Sequence, residues 1–171
     1  MWEYLRSKFY GYPSQTKVVE KIISLGLSVV PNLDGQGSLR CDNIDITAAS
    51  FARSLSIDRR VVLEVLNKIV SDPSLRGFFQ NLKPVANLGK VSSDMGLGVI
   101  QIVPESASKT GIISSIASII ARENISIRQV IVDDPELVSE PKALIVTDSK
   151  IPANLLPEMK NVPGVQAVVI L

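Results

Sequence analysis

The stretch from Glu105 to Gly111, reading ESASKTG, gathers groups that suit an anion. Ser106, Ser108 and Thr110 offer hydroxyls, and Gly111, without a Cβ, leaves room for close approach at the point where a helix is about to begin; Glu105, Ala107 and Lys109 complete the candidate loop. The first amides of a helix have no acceptor inside it and lie at the positive end of its dipole, so a carboxylate placed there satisfies several donors at once. Arg128, on a later strand, is the guanidinium that would assist, across a dimer interface above all. An ordinary strand-to-helix connection has the same composition and stands as the bland alternative.

A second set lies in the segment SIDRRVVLEVLNKIV. At helical spacing Val62, Val65, Leu66 and Ile69 share a face, which leaves Arg59, Arg60, Asn67 and Lys68 on the more exposed side. Those residue types contact phosphates and base edges, so DNA is weighed as a partner. The competing reading is a solvated helix face on which Arg60 and Glu64 pair at i,i+4 spacing.

Other chemistry is excluded by what is missing. The 171 residues contain no histidine, which removes the usual neutral-pH base, the imidazole metal ligand and the partner that activates a serine or cysteine nucleophile. One cysteine, Cys41, forms no internal disulfide and fits a reducing cytoplasm. Asp133, Asp134 and Glu136 around Pro135 have oxygen ligands for a hard cation, but a solvated hairpin turn explains them better. Gly96 and Gly98 precede a strand where a dinucleotide fingerprint must follow one. An enzyme built on Asp134, Glu136 and Lys142 is the least supported reading, and no cofactor is expected.

The elements that must position these residues follow from period and punctuation. Met1 to Tyr10 reads as a short helix and not as a signal peptide, and a second helix starts at Pro13 and stops at Gly26. Leu27–Val30 and Ser38–Asp42 form a small hairpin. Thr47, Asp58 and Asp72 each cap a helix, the last with Pro73 at its first position. Lys83 to Gly96 lacks sustained periodicity and is the expected linker, dividing the chain into domains 1–90 and 91–171. From Leu97 onward the order is βαββαβ, with an isoleucine-rich helix from Gly111 to Arg122. Such an order closes as a four-stranded antiparallel sheet with both helices on one face. Ile100 and Ile102, or Val130 and Val132, depending on register, then lie on the uncovered face, which a second copy of the chain is expected to cover.

Charge divides at the same place. The chain has a net charge of +1, but 12 basic and 8 acidic residues lie up to Lys90, against 6 and 9 after it. No apolar run reaches the ~18 residues of a membrane span, so a membrane is not an expected partner.

With its strand LGVIQIV, the loop PESASKT leading to Gly111, and the strand ISIRQVIVDD, the C-terminal part resembles the ACT domain, a ferredoxin-like ligand-binding module. Lys109 and Thr110 stand where that family often has proline. TAASFARSLSIDRRVVLEVLNKIV resembles a helix-turn-helix, with Ala52 and Leu55 as packing positions and Ser56 where glycine is frequent. Taken whole, through SIDRRVV and IRQVIVDDPEL, the chain is similar to an archaeal family of regulators of amino-acid metabolism that contain an ACT domain. The resemblance implies an α+β protein, an N-terminal helix-turn-helix-like domain followed by an ACT-like sensor. Its expected role is that of a cytoplasmic homodimeric regulator and not an enzyme. It would bind an amino acid or related metabolite and act on transcription, or alternatively dock on a metabolic enzyme.

Overall fold

Residues 2–9, 11–92 and 95–171 are described in a computed structural model of the chain. Met1 and Tyr10, the expected bounds of the first helix, and Ser93 and Asp94 of the expected linker lie outside the described residues. The chain divides into two compact units, Met1–Val85 and Ala86–Leu171.

The N-terminal unit begins with two helices, α1 (Trp2–Phe9) and α2 (Pro13–Ser24), and α2 starts on the proline its sequence offers. A three-stranded antiparallel meander follows, β1 (Ser28–Pro31), β2 (Gly37–Cys41) and β3 (Ile44–Ile46), in that spatial order. The third strand replaces the simple hairpin expected: Asp42, at φ +54°, turns the chain so that Leu39 pairs with Ile46. Three helices complete the unit, α3 (Ala48–Leu55), α4 (Arg59–Ser71) and α5 (Pro73–Phe79). Thr47, Asp58 and Asp72 cap them as their positions predict, Thr47 accepting from Ser50 N–H at 3.2 Å and Asp58 from Arg60 N–H at 2.7 Å.

The apolar stripe of α4 is fully buried, and the helix packs on α2, α3, α5, β1 and β2. It is the central helix of this unit. β2 approaches it tightly, since a Cβ on Gly37 would strike the carbonyl of Leu66.

The C-terminal unit opens with a short helix, α6 (Gly89–Ser92), inside the segment expected as linker. The pattern β4 (Gly98–Pro104), α7 (Ile112–Arg122), β5 (Ile127–Val132), β6 (Ala143–Thr147), a 3-10 turn (Ala153–Leu155) continuing into α8 (Leu156–Lys160), and β7 (Val165–Ile170) follows. All pairings are antiparallel and the strand order is β5-β6-β4-β7, the ferredoxin-like arrangement. Ile112, Ile116, Ile119 and Ile120 of α7 and Met159 of α8 share one core with the sheet, so both helices cover the same face.

Register corrects the expected faces. Ile100 and Ile102, fully buried, face the helices, and Val130 and Val132 pair with Ile145 and Ala143 on that same side. The face away from α7 and α8 instead carries Val99, Gln101, Ile131, Leu144 and Val146. The segment after Val85 covers part of it: Gln129 donates to Ala86 O at 2.7 Å and accepts from Leu88 N–H at 3.0 Å, and a Cβ on Gly89 would meet the Leu144 side chain. Among the described residues no helix is long and apolar enough to cross a membrane.

Candidate functional site

Strand β4 ends at Pro104, where its register with β7 shifts, and the chain turns out of the sheet. Glu105 N–H donates to Gly164 O at 2.8 Å, and Lys109 N–H closes a turn on Ser106 O at 3.1 Å. Gly111 then stands at the head of α7 with φ +90°. A Cβ there would meet nothing within 4 Å, so the left-handed backbone, and not crowding, requires glycine. The first bond within the helix runs from Ser115 N–H to Gly111 O at 3.0 Å, which leaves the amides of Ile112, Ile113 and Ser114 without intrahelical acceptors.

The opposing wall is the β5–β6 connection, because antiparallel pairing through β6 returns it to the same end of the sheet as the β4–α7 loop. It is pinned by two bonds, Asp133 N–H to Lys142 O at 2.9 Å and Lys142 N–H to Asp133 Oδ2 at 3.1 Å. Between the walls lies a cavity of about 150 Å³, with Ile102 and Ala143 beneath, Lys109, Ile113 and Ser114 on one side, and Val132, Asp133 and Lys142 on the other. A more polar cleft of about 520 Å³ adjoins it, lined by Glu105, Ser106, Glu140 and Gln166 and sharing Pro104, Ala107, Pro141 and Lys142 with the cavity.

Five of the loop residues singled out from the sequence line this double cleft: Glu105, Ser106 and Ala107 the larger part, and Lys109 and Gly111, with Ala107 again, the smaller. Ser108 and Thr110 are exposed and line neither. Arg128 sits exposed on the irregularity between Ile127 and Gln129 and lines neither. The wall formed by Val132, Asp133 and Lys142 was not assigned to a ligand from the sequence; its signal was the βαββαβ order itself, which sets both connections at one end. Asp134 Oδ1 accepts from Glu136 N–H at 2.9 Å, as in a turn. Among the described residues no group of three His, Cys, Asp or Glu side chains is placed to hold a metal ion.

In the N-terminal unit Arg59 and Arg60 are exposed, but Asn67 and Lys68 are half-buried, which corrects the exposure expected for them. Asn67 Oδ1 accepts from Gly37 N–H at 2.9 Å. Lys68 Nζ donates to Lys8 O and lies 4.7 Å from the ring centroid of Phe9 and 5.8 Å from that of Tyr12. Both side chains are thereby turned toward β2 and α1. Ser56, in the α3–α4 turn, adopts φ +54°, the conformation for which glycine is the usual residue.

No protein-family profile matches the chain, and no curated protein matches it. Among solved structures, the ACT domain from a GTP pyrophosphokinase of Chlorobium tepidum is 23% identical, with 44% of this chain and 96% of that one covered and a TM-score of 0.35. The protein PH0061 is 11% identical over 93% of this chain and 89% of that one, with a TM-score of 0.27.

The charges around the cleft are mixed. Lys109 and Lys142 form no ion pair among the described residues, unlike Lys8 with Asp72, Arg40 with Asp45 and Arg122 with Glu158. Asp133 shares the cavity with both lysines, and Glu105 and Glu140 border the larger cleft. This arrangement offers cations, backbone donors and an apolar floor at one place. Neither histidine nor cysteine is among the residues that line it.

Proposed function

We propose that this protein is a regulator that senses a small metabolite, an amino acid or a close relative, in the cleft between residues 105–111 and 132–142, and that it is not an enzyme. The observation that carries the reading is the pair of unpaired lysines, Lys109 and Lys142, flanking an apolar cavity at the open first turn of α7. A carboxylate there gains charge-assisted bonds. A ligand at ~100 times its dissociation constant raises stability by about 2.7 kcal/mol. Thermal shift with amino acids and small phosphorylated metabolites therefore tests the reading. A raised midpoint that Lys109→Ala and Lys142→Ala diminish is the expected result, and no shift with any of them would end it. Gly111→Val is a poor probe, because the left-handed backbone strains any β-branched residue.

The N-terminal unit carries the response. With α4 enclosed by α2, α3, α5, β1 and β2, and with Asn67 and Lys68 engaged inside the unit, only Arg59 and Arg60 of the four candidate DNA contacts are left free. That favours docking on a protein, the enzyme whose activity is adjusted, over reading of an operator. Genomic fragments should run unretarded in an electrophoretic assay. Salt-sensitive retardation abolished by Arg59→Ala with Arg60→Ala would restore a transcriptional role. The regulator acts as a homodimer, since Val169 and Leu171 beside the sheet face away from α7 and α8 are 42% and 50% exposed; light scattering that finds a monomer at high concentration would remove this part.

A further inference from the structure

The helix-facing side of the C-terminal sheet is filled at its centre and empty at one corner. Ile145 and Ala143 of β6 are 0% and 5% exposed, yet their partners across the ladder, Val130 and Val132 of β5, are 40% and 58% exposed on the same side. Apolar side chains that face a core and remain in water mark a place where the layer is incomplete. Ile113 tells the same story from α7: it belongs to the isoleucine stripe but is only half-buried, and it lines the cavity with Val132.

At about 150 Å³ the gap matches the size of cavity that accommodates benzene, a six-carbon group. Its floor, Ile102 and Ala143, is apolar and nearly inaccessible. The rim differs in kind. Lys109 and Lys142 stand against Asp133, Glu105 and Glu140, two cations against three carboxylates, so a dianionic phosphate meets net repulsion while a molecule bearing one charge of each sign finds partners for both.

We infer that the ligand of this cleft is an α-amino acid with an aliphatic side chain of about the size of leucine, whose hydrocarbon completes the core under Val132 while its charged head stays at the lysine and carboxylate rim. The inference rests on the ligand-binding role proposed above and narrows it to one class. Phosphorylated metabolites and amino acids with charged side chains are disfavoured by the same geometry. Each methylene removed from water contributes about fourfold in affinity, so leucine, with three more carbons than alanine, binds at least about tenfold more tightly.

Isothermal titration of the full chain with leucine, alanine, aspartate, 4-methylpentanoate and inorganic phosphate tests this. Leucine should bind most tightly, and 4-methylpentanoate, which lacks the ammonium, at least several-fold more weakly. Val132→Phe fills the gap from a largely exposed position. It should lower leucine affinity tenfold or more without lowering the unfolding midpoint, while the near-isosteric Val132→Thr should lower affinity by a smaller factor. If alanine, aspartate or phosphate binds as tightly as leucine, the inference fails and the ligand-binding role stands. If Val132→Phe and Val132→Thr both bind leucine as the wild type does, the assignment to this cavity fails. If none of the five binds and none shifts the midpoint, the role and the inference fall together.

Discussion

Replacing Asn67 with alanine removes the acceptor that holds Gly37 N–H at 2.9 Å and so fixes the start of β2 on α4. The contact is tight, because Gly37 already lies against the Leu66 carbonyl, and little space remains for water to replace the lost oxygen. A hydrogen bond of this kind contributes about 1 kcal/mol, and leaving a partly buried N–H without a partner adds about 1 kcal/mol more. The N-terminal unit should therefore lose about 1–2 kcal/mol. For a unit of this length each kcal/mol moves the midpoint by about 4–8 °C, so a fall of roughly 4–16 °C is expected. Trp2 gives a local readout: it is the only tryptophan, and it packs partly buried against the core of this unit. Its fluorescence during urea or thermal unfolding follows the N-terminal unit alone. Asn67→Asp keeps an oxygen acceptor and, with a small penalty for a negative charge in the last turns of a helix, should lose no more than about 0.5 kcal/mol. An Asn67→Ala protein that unfolds with the wild type, or one no weaker than Asn67→Asp, would refute the structural role and return Asn67 to the surface.

Ser56→Gly should stabilise the same unit by about 0.5–1 kcal/mol, because relief of a left-handed backbone worth about 1–2 kcal/mol outweighs the added freedom of the unfolded chain; a lowered Trp2 midpoint would contradict it. Asp72 accepts from Lys8 Nζ at 2.6 Å, from the Leu75 and Ser74 amides and from Tyr4, and these bonds, the one from Lys8 foremost, bring its carboxyl from 3.8 to about 2. A carboxyl with a depressed native pKa stabilises above its unfolded value and loses that contribution as the pH falls through the native one. The stability difference between the wild type and Asp72→Asn should thus be constant from neutral pH to about 4 and shrink between about 4 and about 2. A difference that persists unchanged at pH 2, measured by denaturant titration, would show that the ion pair is not its source.

The signals that the sequence settles by itself are short in range. Thr47, Asp58 and Asp72 bond amides two or three residues away, so their caps form wherever the helices go, and each helix begins where its cap stands. The isoleucine period of α7 and the alternation βαββαβ are likewise written along the chain, and with few compact closures available they imply the four-stranded sheet and its two helices on one side. One wall of the cleft, formed by Glu105, Ser106, Ala107, Lys109 and Gly111, was legible for the same reason, since a glycine before an apolar helix advertises free amides.

Tertiary structure alone decided the rest. Which valines of β5 face the helices depends on register, and a shift of one residue exchanges the two faces without changing composition. Val132, Asp133 and Lys142 reach the loop only because β6 lies between β5 and β4 and returns their connection to the same end. Asn67 and Lys68 have the residue types of a surface contact, yet partners 30 and 60 residues away in sequence, Gly37 and Lys8, turn them inward. The segment from Lys83 to Gly96 reads as linker from Pro84, Gly89 and its serines, but Gln129 supplies the hydrogen bonds that lay Ala86 and Leu88 on the sheet. In each case the deciding partner is distant along the chain, and local pattern holds no record of which distant groups the fold will bring together.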